Sequence, residues 1–154
     1  MHRRVDPDSF GFVVTDLSRL LRGEMDRRVA DAGIGLTAGE ARALTHAARA
    51  GSVRQNVLAE RMGLEPMTLS AYADRLETRG LLTRTTDPTD RRAKLVEPTP
   101  AAVAVLATIR TIAADIRAEA SHSVSPEDWD RVLQILKLAR ANLSQVRTAG
   151  RDAA

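Results

Sequence analysis

Cysteine is absent from the sequence. That excludes disulfides, thiolate catalysis, thiol redox sensing and Cys-ligated zinc. Aromatic residues make up only 3%, so the core has to be assembled from Leu, Val, Ile and Ala. Such a core favours helices over a sheet sandwich. Lysine is nearly missing as well: beyond Lys94 and Lys137, the positive charge is arginine. No apolar run approaches the roughly 20 residues that a membrane helix needs, so no membrane partner is expected. The start, Met1-His2-Arg3-Arg4-Val5-Asp6, is not followed by a signal-peptide core, and the expected location is the cytoplasm. The histidines, His2, His46 and His122, are scattered and lack metal-ligand spacing. There is no Gly-rich phosphate loop and no Ser nucleophile with a positioned His. Neither enzyme activity nor a metal or cofactor is therefore expected.

What is present is ordinary for a soluble globular chain: 154 residues, 44% hydrophobic and 28% charged, with a net charge of +3. The length gives one domain's worth of core. The arginine excess has two readings. A planar guanidinium suits phosphate and guanine, and a coding bias toward Arg and Ala gives the same count.

Apolar residues at three- and four-residue spacing (Phe10, Val13, Val14, Leu17, Leu20, Leu21, Met25, Val29) predict an amphipathic helix from Phe10 to Ala32. Thr37 and Glu40 form a capping-box pattern that opens a second helix, ended by Gly51. A short helix, Gln55 to Met62, is closed by Gly63. Pro66 then opens another, which runs to about Arg79 before Gly80. Two helices joined by a tight Gly-containing turn read as a helix-turn-helix. Leu81–Thr86 and Ala93–Glu97 read as strands around a long charged tip, Asp87 to Arg92. Thr99-Pro100 and Ser125-Pro126 open two further helices, Thr99 serving as a cap. The end, Ala149 to Ala154, is expected to fray.

The fold class that follows is mainly α: a winged helix-turn-helix lobe over residues 37–98, with flanking dimerisation helices over 8–34 and 99–148, in a single domain of residues 1–154. The flanking helices are too long to cover so small a lobe, and an amphipathic helix must bury its stripe. A second copy of the chain is the economical partner; a monomeric six-helix bundle is the alternative. A symmetric dimer sets two recognition helices about one DNA turn, ~34 Å, apart.

On a helical wheel, Leu69, Tyr72, Ala73 and Leu76 face inward. Pro66, Met67, Thr68, Ser70, Ala71, Asp74 and Arg75 face away or flank. Small or polar side chains at the start of such a helix suit entry into a major groove; they equally suit plain solvation. Charges from Arg54 to Gly80 balance, so attraction for duplex DNA falls to the hairpin. There Arg84, Arg91, Arg92 and Lys94 outnumber Asp87 and Asp90. Arginine on a hairpin tip is of the right size for a minor groove, or for a solvated loop. The two aspartates read as turn-formers accepting backbone N–H bonds, Asp90 also bracing an arginine.

The stretch Ala73-Asp74-Arg75-Leu76-Glu77-Thr78-Arg79-Gly80-Leu81-Leu82, then Asp87-Pro88-Thr89-Asp90-Arg91-Arg92, resembles the recognition-helix end and wing of MarR-family transcriptional regulators. Leu58-Ala59-Glu60 and the Gly33–Leu44 approach also fit, and the similarity runs from about Phe10 to Val146. The resemblance implies a homodimer held by the first and last two helices. It further implies Met67, Thr68 and Ser70 at the major groove, Arg75 near the DNA backbone, and Arg92, paired with Asp90, in the minor groove. Ala71 departs from the larger polar or basic residue of many members, and Glu97-Pro98-Thr99 replaces a common Leu-Thr. Members commonly answer to small, often aromatic and anionic effectors bound between the dimer helices and the lobe. By position, Phe12, Leu20, His46 and Arg49 are the candidates to line such a site. The function implied is a sequence-specific double-stranded DNA-binding regulator, a repressor, with an effector. The competing readings are an effector-free DNA-binding factor and a winged-helix protein-interaction module, which the balanced charge of the helix-turn-helix keeps open.

Overall fold

The computed structural model describes residues 6–152. The start read above, Met1 to Val5, and the last two residues lie outside them. Helix α1 spans Phe10–Asp31, and α2 spans Ala38–Ala50. A two-residue strand β1, Val53–Arg54, leads into α3 (Gln55–Met62) and α4 (Pro66–Thr78). Strands β2 (Leu82–Asp87) and β3 (Asp90–Pro98) form the hairpin. A 3-10 turn, Pro100–Ala102, precedes α5 (Val103–Ala120), and α6 spans Pro126–Asp152.

The local signals explain most of these boundaries. The Thr37 hydroxyl accepts the Glu40 N–H at 3.2 Å while the Glu40 carboxylate accepts the Thr37 N–H at 3.0 Å. Two donors at the open end of α2 are thus satisfied reciprocally. Gly63 closes α3 at φ +64°, a conformation costly for residues with a Cβ. Pro66 sits in the first turn of α4, where its missing N–H is no loss.

Three expectations are corrected. The sheet has three antiparallel strands in the order β1-β3-β2, with Val53 opposite Val96 and Arg84 opposite Val96 on the other side. β1 is too short to show a period of two. The hairpin tip is also tight, not long: only Pro88 and Thr89 lie between the strands, and Arg91 and Arg92 belong to β3. Asp87 causes this by accepting both the N–H and the hydroxyl of Thr89 at 2.8 Å, closing the turn early. Thr99 does not cap a helix with its side chain. Its hydroxyl donates instead to the Gly80 carbonyl at 2.5 Å, and the chain enters α5 through the 3-10 turn.

The chain divides into two compact units, one running through Ile116 and the other starting at Arg117. In the first, Leu44, Leu58, Leu69, Leu76 and Val96 are the largest fully buried side chains. They join α2, α3, α4 and β3 around one core, to which Val29 of α1 and Ile109 of α5 also belong. Ala43, Ala47 and Ala73, all buried, let the helix backbones approach closely. Most of the N-terminal half of α1's apolar stripe remains exposed, from Phe10 to Leu21. In the second unit, Ser125 caps α6 by accepting the Asp128 N–H at 3.1 Å. The helix continues through Asp152, past the point at which the sequence predicts fraying. Val132, Ile135, Leu136, Leu138, Leu143 and Val146 of α6 are exposed.

Candidate nucleic-acid interface

Helix α4 buries Leu69, Ala73 and Leu76 and turns its other side to solvent. Met67 is 82% exposed, the highest value among the large apolar side chains. Pro66 is exposed, and Thr68, Ser70 and Ala71 are half-buried beside it.

Among the described residues, four side-chain contacts hold α4 in place. The Arg75 guanidinium donates from Nε to the buried carboxylate of Glu40 on α2 and lies over the Tyr72 ring, 5.4 Å from its centroid. Burial pushes the Glu40 carboxyl up, but the Thr37 N–H and the Arg75 guanidinium outweigh it, so the group titrates below its ordinary value. Tyr72 in turn occupies the space in front of Gly39, where a Cβ would fall 2.4 Å from the ring. Arg79 donates to the backbone carbonyls of Gly35 and Ile34. Arg84 on β2 reaches back to Asp74 and Glu77 of α4, each at 2.6 Å. The sequence counts Arg84 as a cation offered to DNA; two carboxylates beside it take up that charge. Arg75 is likewise partly engaged, its terminal nitrogens alone left for an external partner.

The hairpin divides its charges differently. Arg91 and Arg92 are exposed, and among the described residues neither guanidinium has a hydrogen-bond or ion-pair partner. Asp90 accepts the backbone N–H of Arg92 at 3.1 Å; it shapes the turn and does not brace the guanidinium. Lys94 donates to the Thr86 hydroxyl at 3.0 Å. The bracing carboxylate is Asp87, nearly buried, which accepts from Arg54 Nε of β1 at 2.6 Å. Arg54 also donates to the Thr89 hydroxyl at 3.1 Å. This anchor ties the hairpin's turn to the strand that precedes α3. No local signal pairs residues so far apart in sequence.

The Thr89 N–H, then the Thr89 hydroxyl, then the Arg54 guanidinium, lower the Asp87 pKa from 3.8 to about 2. A depressed folded-state pKa adds stability that is present above the ordinary value and lost as pH falls through the folded one. Asp87→Asn is therefore expected to lower the melting temperature at neutral pH. Between pH 3.8 and about 2 it should narrow the gap to wild type. Thermal melts at pH 7 and pH 2 check this; parallel curves for the two proteins would rule out the anchor.

Between α1 and α2 the first unit contains a cavity of about 280 Å³. α1 contributes Leu21, Met25 and Val29 with Arg22 and Asp26; α2 contributes Ala41, Arg42, Thr45 and His46; Ile109 lies at its edge. Arg42 donates to both oxygens of Asp26, at 2.5 and 2.7 Å. Of the effector-site residues expected from sequence, only His46 lines this cavity. Phe12 lies nearly two turns before the lining segment of α1. Leu20 faces away from it, 57% exposed, and Arg49 sits one turn past His46, exposed. Burial, then the nearby Arg49 and Arg42 charges, lower the His46 pKa.

Residues 36–94 match the model of the MarR family. The solved structure of transcriptional regulator PA3341 is 34% identical to this chain over 89% of it and 99% of that chain, with a TM-score of 0.73. A MarR-family transcriptional regulator from Rhodococcus sp. RHA1 reaches a TM-score of 0.73 at 24% identity, covering 87% of this chain and 94% of that one. CouR from Rhodococcus jostii RHA1, solved bound to p-coumaroyl-CoA, reaches 0.69 at 21% identity, covering 87% and 93%. These two bear on the fold alone.

Proposed function

The chain belongs to the MarR family of transcriptional regulators, and from that premise we propose that it works as a homodimer that binds duplex DNA sequence-specifically and represses transcription. The observation that carries this reading is the pair of uncommitted arginines on the hairpin, Arg91 and Arg92. Other charged side chains of the lobe, Arg54, Arg75, Arg79 and Arg84, are engaged with partners inside it. α4 enters the major groove with Pro66, Met67, Thr68, Ser70 and Ala71, Arg75 stays near the phosphates, and the β2–β3 hairpin brings Arg92 to the adjacent minor groove. Lys94 adds charge behind it.

The dimer is supported by the apolar side chains that each unit leaves open. Phe10, Val13, Leu17 and Leu20 on α1, and Ile135, Leu138, Leu143 and Val146 on α6, are all exposed. Patches of this kind mark association surfaces. In this reading, residues 37–98 form the DNA-binding lobe and residues 8–34 and 99–148 the dimer-forming parts of a single domain. The cavity beside His46 receives a small effector. Its apolar wall and its Arg22, Arg42 and His46 side suit a small aromatic body with an anionic end.

A gel-shift titration against duplexes from the gene's own upstream region, repeated at several salt concentrations, tests the reading. Phosphate contacts release counterions, so the logarithm of the affinity is expected to fall linearly with the logarithm of salt, with a slope of roughly −0.9 per phosphate neutralised. Absence of binding even at low salt would leave the protein-interaction module as the better account.

A further inference from the structure

The outward side of α4 lacks the residues that read bases through paired hydrogen bonds. Met67, Ala71, Asp74 and Thr78 follow one another along the side opposite the buried Leu69, Ala73 and Leu76. None is Arg, Lys, Asn or Gln, the types that make bidentate contacts with guanine or adenine. The one charge among them, Asp74, is a carboxylate taken up by Arg84 at 2.6 Å. Arg75, on the flank, is drawn back onto Glu40 and Tyr72. What the helix presents outward is a thioether chain and a methyl group, with the Thr68 and Ser70 hydroxyls beside them.

Met67 is the anomaly among these. It is a large apolar side chain 82% exposed on a helix whose other large apolar residues are wholly or partly buried. The apolar group that a major groove offers is the C5-methyl of thymine. We infer that α4 reads its half-site through thymine methyl groups, with Met67 as the specificity-determining residue and Ala71 as the small neighbour that lets the groove floor approach. The inference rests on the proposed entry of α4 into the major groove.

The test uses the full chain and the tightest-binding duplex selected from a random pool. Each thymine is replaced in turn, symmetrically in both half-sites, by deoxyuridine, which keeps the base pair and removes only the methyl. Affinity is expected to fall about fourfold per methyl lost, the equivalent of ~0.8 kcal/mol. A symmetric pair would then cost roughly fifteenfold, at one or two positions of the half-site and not elsewhere. Met67→Ala should bind the thymine duplex more weakly and no longer distinguish it from the uracil duplex at those positions. Equal affinity of the wild-type protein for both duplexes overturns the inference, as does a Met67→Ala protein that retains the full uracil penalty. Salt-sensitive binding indifferent to uracil removes this inference alone. No binding to any duplex removes the DNA-binding reading beneath it.

Discussion

Replacing Arg92 with alanine is expected to weaken duplex binding by on the order of thirtyfold or more while leaving the fold unchanged. An arginine bidentate to guanine in the major groove is worth about 1–3 kcal/mol, and a groove-inserted Arg92 is taken at the low end of that range. A symmetric dimer loses two of them, and the lower end of that range, doubled, already gives ~30-fold. The salt slope should flatten by about two, one for each charge removed. Stability should stay within about 0.5 kcal/mol of wild type, because among the described residues the Arg92 side chain has no partner to lose. Gel shifts at two salt concentrations, with a thermal melt of the same preparation, separate the outcomes. Wild-type affinity in the variant would remove the hairpin from the interface. A lowered melting temperature would show that the arginine serves the fold instead.

The contrast with Arg84 sharpens that prediction. Both arginines belong to the hairpin, and charge counting treats them alike. Arg84 lies between Asp74 and Glu77. Its removal leaves two carboxylates unneutralised beside α4 and loosens the helix against β2. Its effect on DNA therefore runs through the position and potential of the recognition helix, not through a contact. Asp87 plays the matching part for the hairpin, fixing its turn to Arg54 so that Arg91 and Arg92 leave the lobe from a defined place.

Features carried by short-range rules were legible in the sequence. The capping box at Thr37 and Glu40, the left-handed Gly63, and Pro66 in the first turn of α4 each satisfy a backbone demand within four residues. The α4 stripe, with its buried Leu69, Ala73 and Leu76, was legible from periodicity. What escaped depends on pairs distant in sequence. Glu40 reads as a cap and does cap, yet its second oxygen also holds Arg75. Asp87 reads as a turn-former, and nothing nearby announces Arg54. β1 exists only because β3 offers it an edge. One such pair does leave a local sign: Gly39, inside the first turn of a helix, has low helical propensity and calls for a packing reason. The reason is the ring of Tyr72.

Helix α2 thereby carries two duties. Ala41, Arg42, Thr45 and His46 line the cavity, while Gly39 and Glu40 meet Tyr72 and Arg75 of α4. An occupant that binds better to one position of α2 than another shifts the balance of α4 positions by that difference in affinity, and by no more. The polar wall supplies a basis for such a preference, because Arg42 is held to Asp26. Both hydrogen bonds to Asp26 come from one terminal nitrogen of Arg42, so an anionic ligand at its other nitrogens would share the guanidinium with Asp26 and weaken one link between α1 and α2, while Val29 still holds α1 to the core.

The second large effect concerns the buried side of α4. Leu76 is fully buried in the cluster that joins α2, α3, α4 and β3. Leu76→Ala removes three carbons from a site enclosed on every side, and the surrounding helices cannot collapse fully into the space. The expected loss is about 2–5 kcal/mol, transfer and cavity terms together. For a chain of this length each kcal/mol lowers the melting temperature by roughly 2–4 °C, so a drop of about 4–20 °C is expected. Met67→Ala on the same helix is the internal control: it deletes a side chain of similar size from the exposed side and should change stability by less than about 0.5 kcal/mol. The two variants, melted at one protein concentration, separate what α4 owes to its core side from what it offers outward. A Leu76→Ala protein that melts with wild type would mean that α4 is not seated in the core through Leu76. The orientation assigned to Met67, and the groove contact built on it, would fall with that seating.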